Sequence, residues 1–364
     1  MTKGPGRSGA KGRKAAQGIP DCYREPSFKK HAIAGLNVTE EQEQMDTTFI
    51  RSESPEHQAT PPVVEPNAQP SKIKIVFVTG AAGRSGTTLV ARLLGEIEGC
   101  VNIGEGQYLF DSKTRQEDAP CGCGNLVQAC PFWAEIEESV PDKVQEFAGR
   151  YVRTRNSPLL LMRYRRGPFA EKFREFLSTL ETTYLEIARR TNCGVVVTTT
   201  KSPWYLFALT QLSKVEVYVV HLVRSPEGVV KSWSKRKNYS APQAALKILG
   251  EWSLHNLLFE VFGRRAHAYW RICFEDLPGN PQGILKSIAD GVFQRPVVLP
   301  FTSPNRARVH TQHILVSNPD KLTGDEIIIR PAPQNSLPLG KRMLVKSLAF
   351  PLLWRYGYLG QRRQ

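Results

Sequence analysis

Apolar runs recur along the chain from residue 72 onward, and stretches with helical spacing separate them. The first run, residues 73–78, is apolar at nearly every position, which is typical of a parallel strand buried on both faces. Similar runs occupy residues 194–199, 215–223 and 267–274. Helical spacing is seen at Leu89, Val90, Leu93 and Leu94, and again over 169–191 and 242–262. This alternation predicts an α/β fold of three layers, αβα, with a central parallel sheet.

Residues 1–71 have a different composition from the rest. Their start is rich in Gly, Lys and Arg, and the stretch 40–70 is acidic and then rich in Pro. Few apolar residues recur at any period, so this segment cannot bury enough surface to offset the entropy lost on ordering. We predict a disordered arm over 1–71 and a folded domain over 72–364. That domain has a cysteine-containing insertion near 115–135 and an amphipathic segment at 341–360.

Charge is the informative part of the composition. Hydrophobic residues make up 41% and charged residues 23%, as in ordinary soluble proteins, so a core of normal size can form. The formal net charge of +15 favours an anionic partner. No apolar stretch reaches the roughly 18–20 residues of a membrane-spanning helix, and none follows the basic N-terminus as a secretory signal would require. We expect a cytoplasmic protein with at most peripheral membrane contact and no specific nucleic-acid partner.

The segment 80–88, Gly-Ala-Ala-Gly-Arg-Ser-Gly-Thr-Thr, joins the first strand to the first helix. Small residues let backbone N–H groups approach an anion, and the helix start adds the positive end of its dipole. Arg84 adds a charge, and Thr87 and Thr88 add hydroxyl donors. A nucleotide-hydrolysing P-loop needs Lys where Thr87 stands, and the strand ending before Arg224 offers no Asp for magnesium. The loop therefore indicates a terminal phosphate or sulfate bound without a metal.

Two motifs together resemble the P-loop sulfotransferase family, most closely its bacterial, carbohydrate-type branch. The stretch 84–89 is similar to the family's 5'-phosphosulfate loop. The stretch 219–226 is similar to the strand and turn that bind the 3'-phosphate, where the family pairs an Arg with a Ser eight positions later. Here these are Arg224 and Ser232, and Ser225 stands where the family usually has Asp.

The resemblance implies an enzyme of the EC 2.8.2 type. It would transfer a sulfuryl group from 3'-phosphoadenosine-5'-phosphosulfate (PAPS) to an acceptor hydroxyl or amine by in-line displacement, with no metal required. The donor leaves as 3'-phosphoadenosine-5'-phosphate (PAP), and a carbohydrate, a glycolipid or a small alcohol is the expected acceptor. Trp252 and Asn256 share a helix face similar to one that frames the adenine in relatives, and a core Trp with a surface Asn is an equal alternative. The expected donor-binding residues are Arg84, Ser85, Gly86, Thr87, Thr88, Arg224, Ser232 and Trp252.

Sulfuryl transfer needs a base for the acceptor proton and cationic groups at the leaving phosphate. Arg84 and the amides of residues 85–88 would serve the leaving phosphate. Lys201 begins a Lys-Ser-Pro element that the family also carries, and would stabilise charge on the transferring group. Glu105 is the preferred base, because relatives have a Gly-Glu pair beside the acceptor, and a solvated Glu without a role is an equal alternative. The histidines are the other candidates: His310 and His313 stay open, and burial in a strand disfavours His221.

Three cysteines, Cys121, Cys123 and Cys130, lie within ten residues of one another. Tetrahedral zinc usually takes four ligands, often as two C-x-x-C pairs, whereas this spacing is C-x-C with one further thiol. We interpret the segment as a structural loop, closed by a local disulfide if oxidised, and predict no metal site.

Two other function classes remain open at this point. A P-loop nucleoside or sugar kinase would share the strand–loop–helix but lacks the Lys and the magnesium ligand. A non-catalytic protein that binds anions or nucleotides would use the basic charge alone.

Overall fold

The structure is a computed structural model that describes residues 72–81, 85–110, 119–152, 157–234, 242–310, 312–315, 325–331 and 337–359. The predicted N-terminal arm and Arg84 lie outside these described residues.

Strands and helices alternate along the described chain. In chain order they are β1 (Ile73–Thr79), α1 (Thr87–Gly95), β2 (Cys100–Gly104), α2 (Ala134–Glu138), α3 (Asp142–Tyr151), α4 (Ser157–Arg163), α5 (Gly167–Thr191), β3 (Val195–Thr199), α6 (Pro203–Leu209), β4 (Val215–Val223), α7 (Pro226–Ser234), α8 (Pro242–Gly263), β5 (Ala268–Cys273), α9 (Pro281–Phe293), β6 (Phe301–Ser303), β7 (Arg306–Arg308), β8 (Glu326–Ile328) and α10 (Leu339–Arg355).

The central sheet has five parallel strands in the order β2-β3-β1-β4-β5. This confirms the predicted α/β class with a central parallel sheet. After β1 the chain moves to one side of the sheet, towards β2, and after β4 it moves to the other side, towards β5. The strand order therefore reverses between β1 and β4. In open parallel sheets, a ligand crevice forms outside the carboxyl ends of the strands at such a point.

Side chains of β1 alternate between the two faces of the sheet, and each face carries its own core. Ile75 and Phe77 pack in the core that α5, α6 and α8 cover. Val76 and Val78 pack in the core that α1 and α9 cover. Burying each of these side chains stabilises the fold by about 1.5–3 kcal/mol, so the near-continuous apolar run is what fixes β1 in the middle layer.

The sequence patterns did not predict every element. They missed β2, the helices α2, α3, α4, α6 and α9, and the small antiparallel sheet of β6, β7 and β8. A signal for α9 was present, because Asn280 is followed by Pro281, an N-cap before proline at the first helical position. In the fold the Asn280 side chain accepts a hydrogen bond from the N–H of Gly283 at 3.0 Å.

The predicted amphipathic C-terminal segment forms α10, which packs on α7 and α8. The buried face carries Val345, Ala349, Leu352 and Leu353. The opposite face leaves several apolar side chains exposed, among them Met343, Phe350 and Trp354. Within the described part of the chain, no helix combines the length and the apolar character that crossing a bilayer would need.

Candidate active site

A candidate site residue or loop follows the carboxyl end of each central strand. The phosphate loop follows β1, Glu105 follows β2, Lys201 follows β3, Arg224 follows β4 and Phe274 follows β5. Because the strands are parallel, all five groups lie along one edge of the sheet.

Tight packing shapes the described part of the phosphate loop. Gly86 has a φ of 81° and caps α1, so the chain turns there through the left-handed region that favours glycine. Ser85 is buried and donates a hydrogen bond to the carbonyl of Ala81 at 3.3 Å. Thr87 and Thr88 form the first turn of α1 and are half-buried. The backbone N–H groups in the first turn of a helix have no partner within the helix, as an anion site requires.

Phe274 lies between the phosphate loop and Arg224. A Cβ added to Gly86 would come within 2.7 Å of the Phe274 ring carbons. The Arg224 guanidinium carbon lies 4.7 Å from the centroid of the same ring, a cation–π contact. The sequence patterns pointed to Gly86 and Arg224 but not to the aromatic ring between them.

Several side chains hold the backbone on either side of Arg224. The Trp252 indole N–H donates to the Arg224 carbonyl at 3.1 Å. Glu275 accepts hydrogen bonds from the Ser225 N–H at 3.0 Å and from the Tyr358 hydroxyl at 2.7 Å. Trp252 is only 1% exposed, so it supports Arg224 from the core and has no free ring face for an adenine. This placement is that of the core-Trp alternative, because the Trp252 side chain lies on the inner face of α8.

The start of α7 completes the Arg224 side of the crevice. The Ser225 hydroxyl accepts from the N–H of Gly228 at 3.2 Å and so caps this helix. A Cβ on Gly228 would lie 3.0 Å from the Arg224 Nε, so glycine leaves room for the guanidinium. Ser232 lies further along α7 and is half-buried.

Glu105 and Lys201, the two described residues predicted to be catalytic, come together. The Lys201 Nζ lies 3.7 Å from a Glu105 carboxylate oxygen, and the two side chains are 46% and 14% exposed. The Thr79 hydroxyl donates to the Thr200 carbonyl at 2.7 Å, which ties the end of β1 to the residue before Lys201. An ion pair thus lies at the carboxyl ends of β2 and β3, and its lysine is the more exposed partner.

The histidines have other surroundings. His221 is fully buried, 2.6 Å from the Tyr269 hydroxyl and 2.8 Å from the Asn256 Oδ1. Its burial confirms the expectation that strand packing removes it from the surface. That burial lowers the pKa of His221 to about 4. His310 contacts Glu96 at 2.6 Å, at the end of α1 and away from the loop where that helix begins.

His313 belongs to a group of side chains that the sequence patterns did not connect. Its Nδ1 lies 3.2 Å from the Cys130 Sγ and 3.9 Å from the Cys121 Sγ. The prediction of a cysteine loop without a fourth partner did not include this imidazole, because it is 183 residues from Cys130. At that separation no local pattern in the sequence singles out this histidine as their partner.

Comparisons with known proteins agree on one family. A family model described as "Sulfotransferase family" matches residues 76–292, which is more than half of the chain. No curated protein matches the chain in sequence.

Three solved structures are similar to the described fold. The sulfotransferase domain of the Synechococcus PCC 7002 olefin synthase is 16% identical, with 77% of this chain and 94% of that chain covered and a TM-score of 0.45. The sulfotransferase STF1 of Mycobacterium tuberculosis H37Rv is 15% identical, covering 61% and 68%, with a TM-score of 0.39. A sulfotransferase of Alicyclobacillus acidocaldarius is 12% identical, covering 78% and 94%, with a TM-score of 0.35.

Proposed function

Since this chain belongs to the sulfotransferase family, we propose that it transfers the sulfuryl group of PAPS to an acceptor hydroxyl or amine. One observation carries the proposal. The phosphate loop and Arg224 flank the β1–β4 crevice, and Phe274 contacts both. PAPS has two separate anionic ends, and this arrangement offers one cationic or N–H-rich site for each.

The 5'-phosphosulfate would bind at the phosphate loop. The amides of residues 85–88 and the hydroxyls of Thr87 and Thr88 would donate to the phosphate that becomes the leaving group. Arg84 lies outside the described residues, and its role at this phosphate remains the prediction made from the motif. Arg224 would hold the 3'-phosphate through its planar guanidinium, with Ser232 donating from α7.

The transfer is an in-line displacement at sulfur. The acceptor oxygen or nitrogen forms a bond to sulfur while the bond from sulfur to the bridging phosphate oxygen breaks. The acceptor proton passes to the Glu105 carboxylate, and the negative charge that develops on the bridging oxygen leaves with PAP. Lys201 lies within reach of the Glu105 carboxylate, and would stabilise charge on the sulfuryl oxygens as they pass between donor and acceptor.

The acceptor belongs to the β2 and β3 end of the crevice, because Glu105 and Lys201 follow those strands. Family resemblance supports a carbohydrate, a glycolipid or a small alcohol. Acceptor screening with labelled PAPS, scoring the sulfated product, distinguishes among the three.

The first test is calorimetric titration of PAP into the full chain, with 5'-AMP and with ATP plus magnesium as comparison ligands. We expect PAP to bind at least about ten-fold more tightly than AMP, because only PAP carries the 3'-phosphate. Arg224→Ala should abolish that preference. Arg306→Ala is the matched control, since Arg306 is an exposed arginine that pairs with Glu326 on β8.

Equal binding of PAP and AMP by the unaltered chain would contradict the donor site. Tighter binding of ATP with magnesium would favour the kinase alternative.

A further inference from the structure

We propose that Cys121, Cys123, Cys130 and His313 form a structural zinc site. The three thiol sulfurs and one imidazole nitrogen all lie within 4.8 Å of one another. Cys121 and Cys130 are buried, and Cys123 and His313 are half-buried, so the group lies just beneath the surface.

The spacing of the donors fits tetrahedral zinc. Zinc–sulfur bonds of about 2.3 Å and zinc–nitrogen bonds of about 2.0–2.1 Å place neighbouring ligand atoms roughly 3.6–3.8 Å apart. The Cys123 and Cys130 sulfurs are 3.7 Å apart. The His313 Nδ1 is 3.2 Å and 3.9 Å from the sulfurs of Cys130 and Cys121. These three separations differ from the tetrahedral values by a few tenths of an ångström at most.

The chemistry of the donors selects the ion. Three thiolates and one imidazole are soft or borderline ligands, which suit zinc and do not suit magnesium or calcium. Four protein ligands fill a tetrahedron and leave no position for water or substrate, as in structural zinc sites. The role of the zinc would therefore be to join segments of the chain.

A tight turn presents the first two thiols. The Cys121 N–H donates to the Asn125 carbonyl at 2.8 Å, and the Gly124 N–H donates to the Cys121 carbonyl at 3.0 Å. Gly124 has a φ of 91°, which closes the turn through the left-handed region. Cys121 and Cys123 are thereby held on one side of the group.

Aromatic residues orient the other two ligands. The backbone N–H of Trp133 donates to the Cys130 carbonyl at 3.0 Å, and its indole N–H donates to the His313 carbonyl at 3.1 Å. The Phe132 ring stacks on the imidazole at 5.1 Å and 17°. These contacts fix the backbone and ring plane of His313 with Nδ1 towards the thiols, as outer-shell groups do around bound metals.

The zinc site would join the cysteine segment to the end of β2, where Glu105 lies. The short segment containing His313 bridges the cysteine loop on one side, through Leu315 and Cys121, and β2 on the other, through Leu315 and Gly104. The Leu315 carbonyl accepts the N–H of Glu105 at 2.8 Å. Zinc bound two residues away would hold this segment in place and so position the backbone of Glu105.

Metal analysis of the full chain tests the site. The chain is purified under reducing conditions without chelators, and zinc is measured by mass spectrometry beside a titration of free thiols. We expect one zinc per chain. Cys123→Ser should weaken zinc retention against a competing chelator by more than about ten-fold. Cys193→Ser is the matched control, because Cys193 is a half-buried free thiol outside the group.

Cobalt substitution gives a second readout that does not depend on how well a variant folds. The unaltered chain, stripped of zinc and loaded with cobalt, should show the visible absorption of tetrahedral cobalt–thiolate coordination. Less than one zinc per chain after incubation with excess zinc would overturn the proposal. A Cys123–Cys130 disulfide in the chain purified under reducing conditions would also overturn it, and so would equal zinc retention by Cys123→Ser and the unaltered chain. Zinc content is independent of PAP binding, so failure of the donor site and failure of the zinc site are distinguishable.

Discussion

Replacement of Gly86 by Ala tests the packing that joins the two halves of the donor site. The alanine would have to adopt a φ near 81°, which costs an L-residue about 1–2 kcal/mol. It would also lie 2.7 Å from the Phe274 ring, and overpacking of this kind costs about 1–3 kcal/mol more. Phe274 cannot yield freely, because the Arg224 guanidinium lies over its ring.

Gly99 provides the control for the backbone cost. Its φ is 82°, yet a Cβ added there meets nothing within 4 Å. Gly99→Ala should therefore lose only the backbone contribution of about 1–2 kcal/mol and leave PAP affinity unchanged. Gly86→Ala should lose about 2–5 kcal/mol and bind PAP more than about ten-fold more weakly, because Phe274 and Arg224 must move.

Urea unfolding measures the stability change, and PAP calorimetry measures the change at the site. In a double variant, Gly86→Ala with Phe274→Ala, the steric contribution disappears, so the combined stability loss should be smaller than the sum of the two single losses. If Gly86→Ala and Gly99→Ala lose equal stability and bind PAP equally well, Phe274 does not pack on Gly86 and the argument fails.

Three further predictions concern the supports of the site. Trp252→Phe keeps an aromatic ring but removes the N–H donor to the Arg224 carbonyl. We therefore expect a stability loss of about 1 kcal/mol and weaker PAP binding. An unchanged PAP affinity would argue against a positioning role for Trp252. Glu105→Gln should lower kcat at least about 100-fold and leave PAP affinity intact, and a wild-type rate would remove Glu105 as the base. His221 has its pKa lowered by burial from 6.5 to about 4, so between these values the unfolded chain binds the proton and the folded chain does not. The free energy of unfolding should therefore be greatest above pH 6.5 and about 2 kcal/mol lower at pH 5. If the urea midpoints of His221→Gln and of the unaltered chain depend on pH in the same way, this prediction is wrong.

The strands that could be predicted from sequence are those with long apolar runs. β1, β3, β4 and β5 were predicted to within a residue or two, because strands buried on both faces need apolar side chains at almost every position. β2 has only five residues, with Asn102 and Gly104 among them, and it lies at the edge of the sheet. Half-buried edge strands do not need such a run, so the pattern did not reveal it.

The candidate site was predictable as separate motifs but not as an arrangement. Each motif indicated a strand end, yet the pairing of Glu105 with Lys201 depends on β2 lying beside β3, which local sequence does not specify. Trp252 was ambiguous for a similar reason. The apolar residues of α8 lie on all sides of the helix, so their spacing does not show which face of α8 reaches the crevice.

The edge of the sheet at β2 depends on a segment that is synthesised much later. Gln312 accepts the Asn102 N–H across 210 residues of chain, and Leu315 completes the pairing next to it. Contacts of such separation form late in folding, because the loop-closure entropy must be overcome before they contribute. β1, β4 and the loops that follow them are therefore synthesised well before the candidate base acquires its backbone partner. A chain halted after α9 would lack the segment that accepts the Glu105 N–H, and also the Tyr358 hydroxyl that donates to Glu275 beside Arg224.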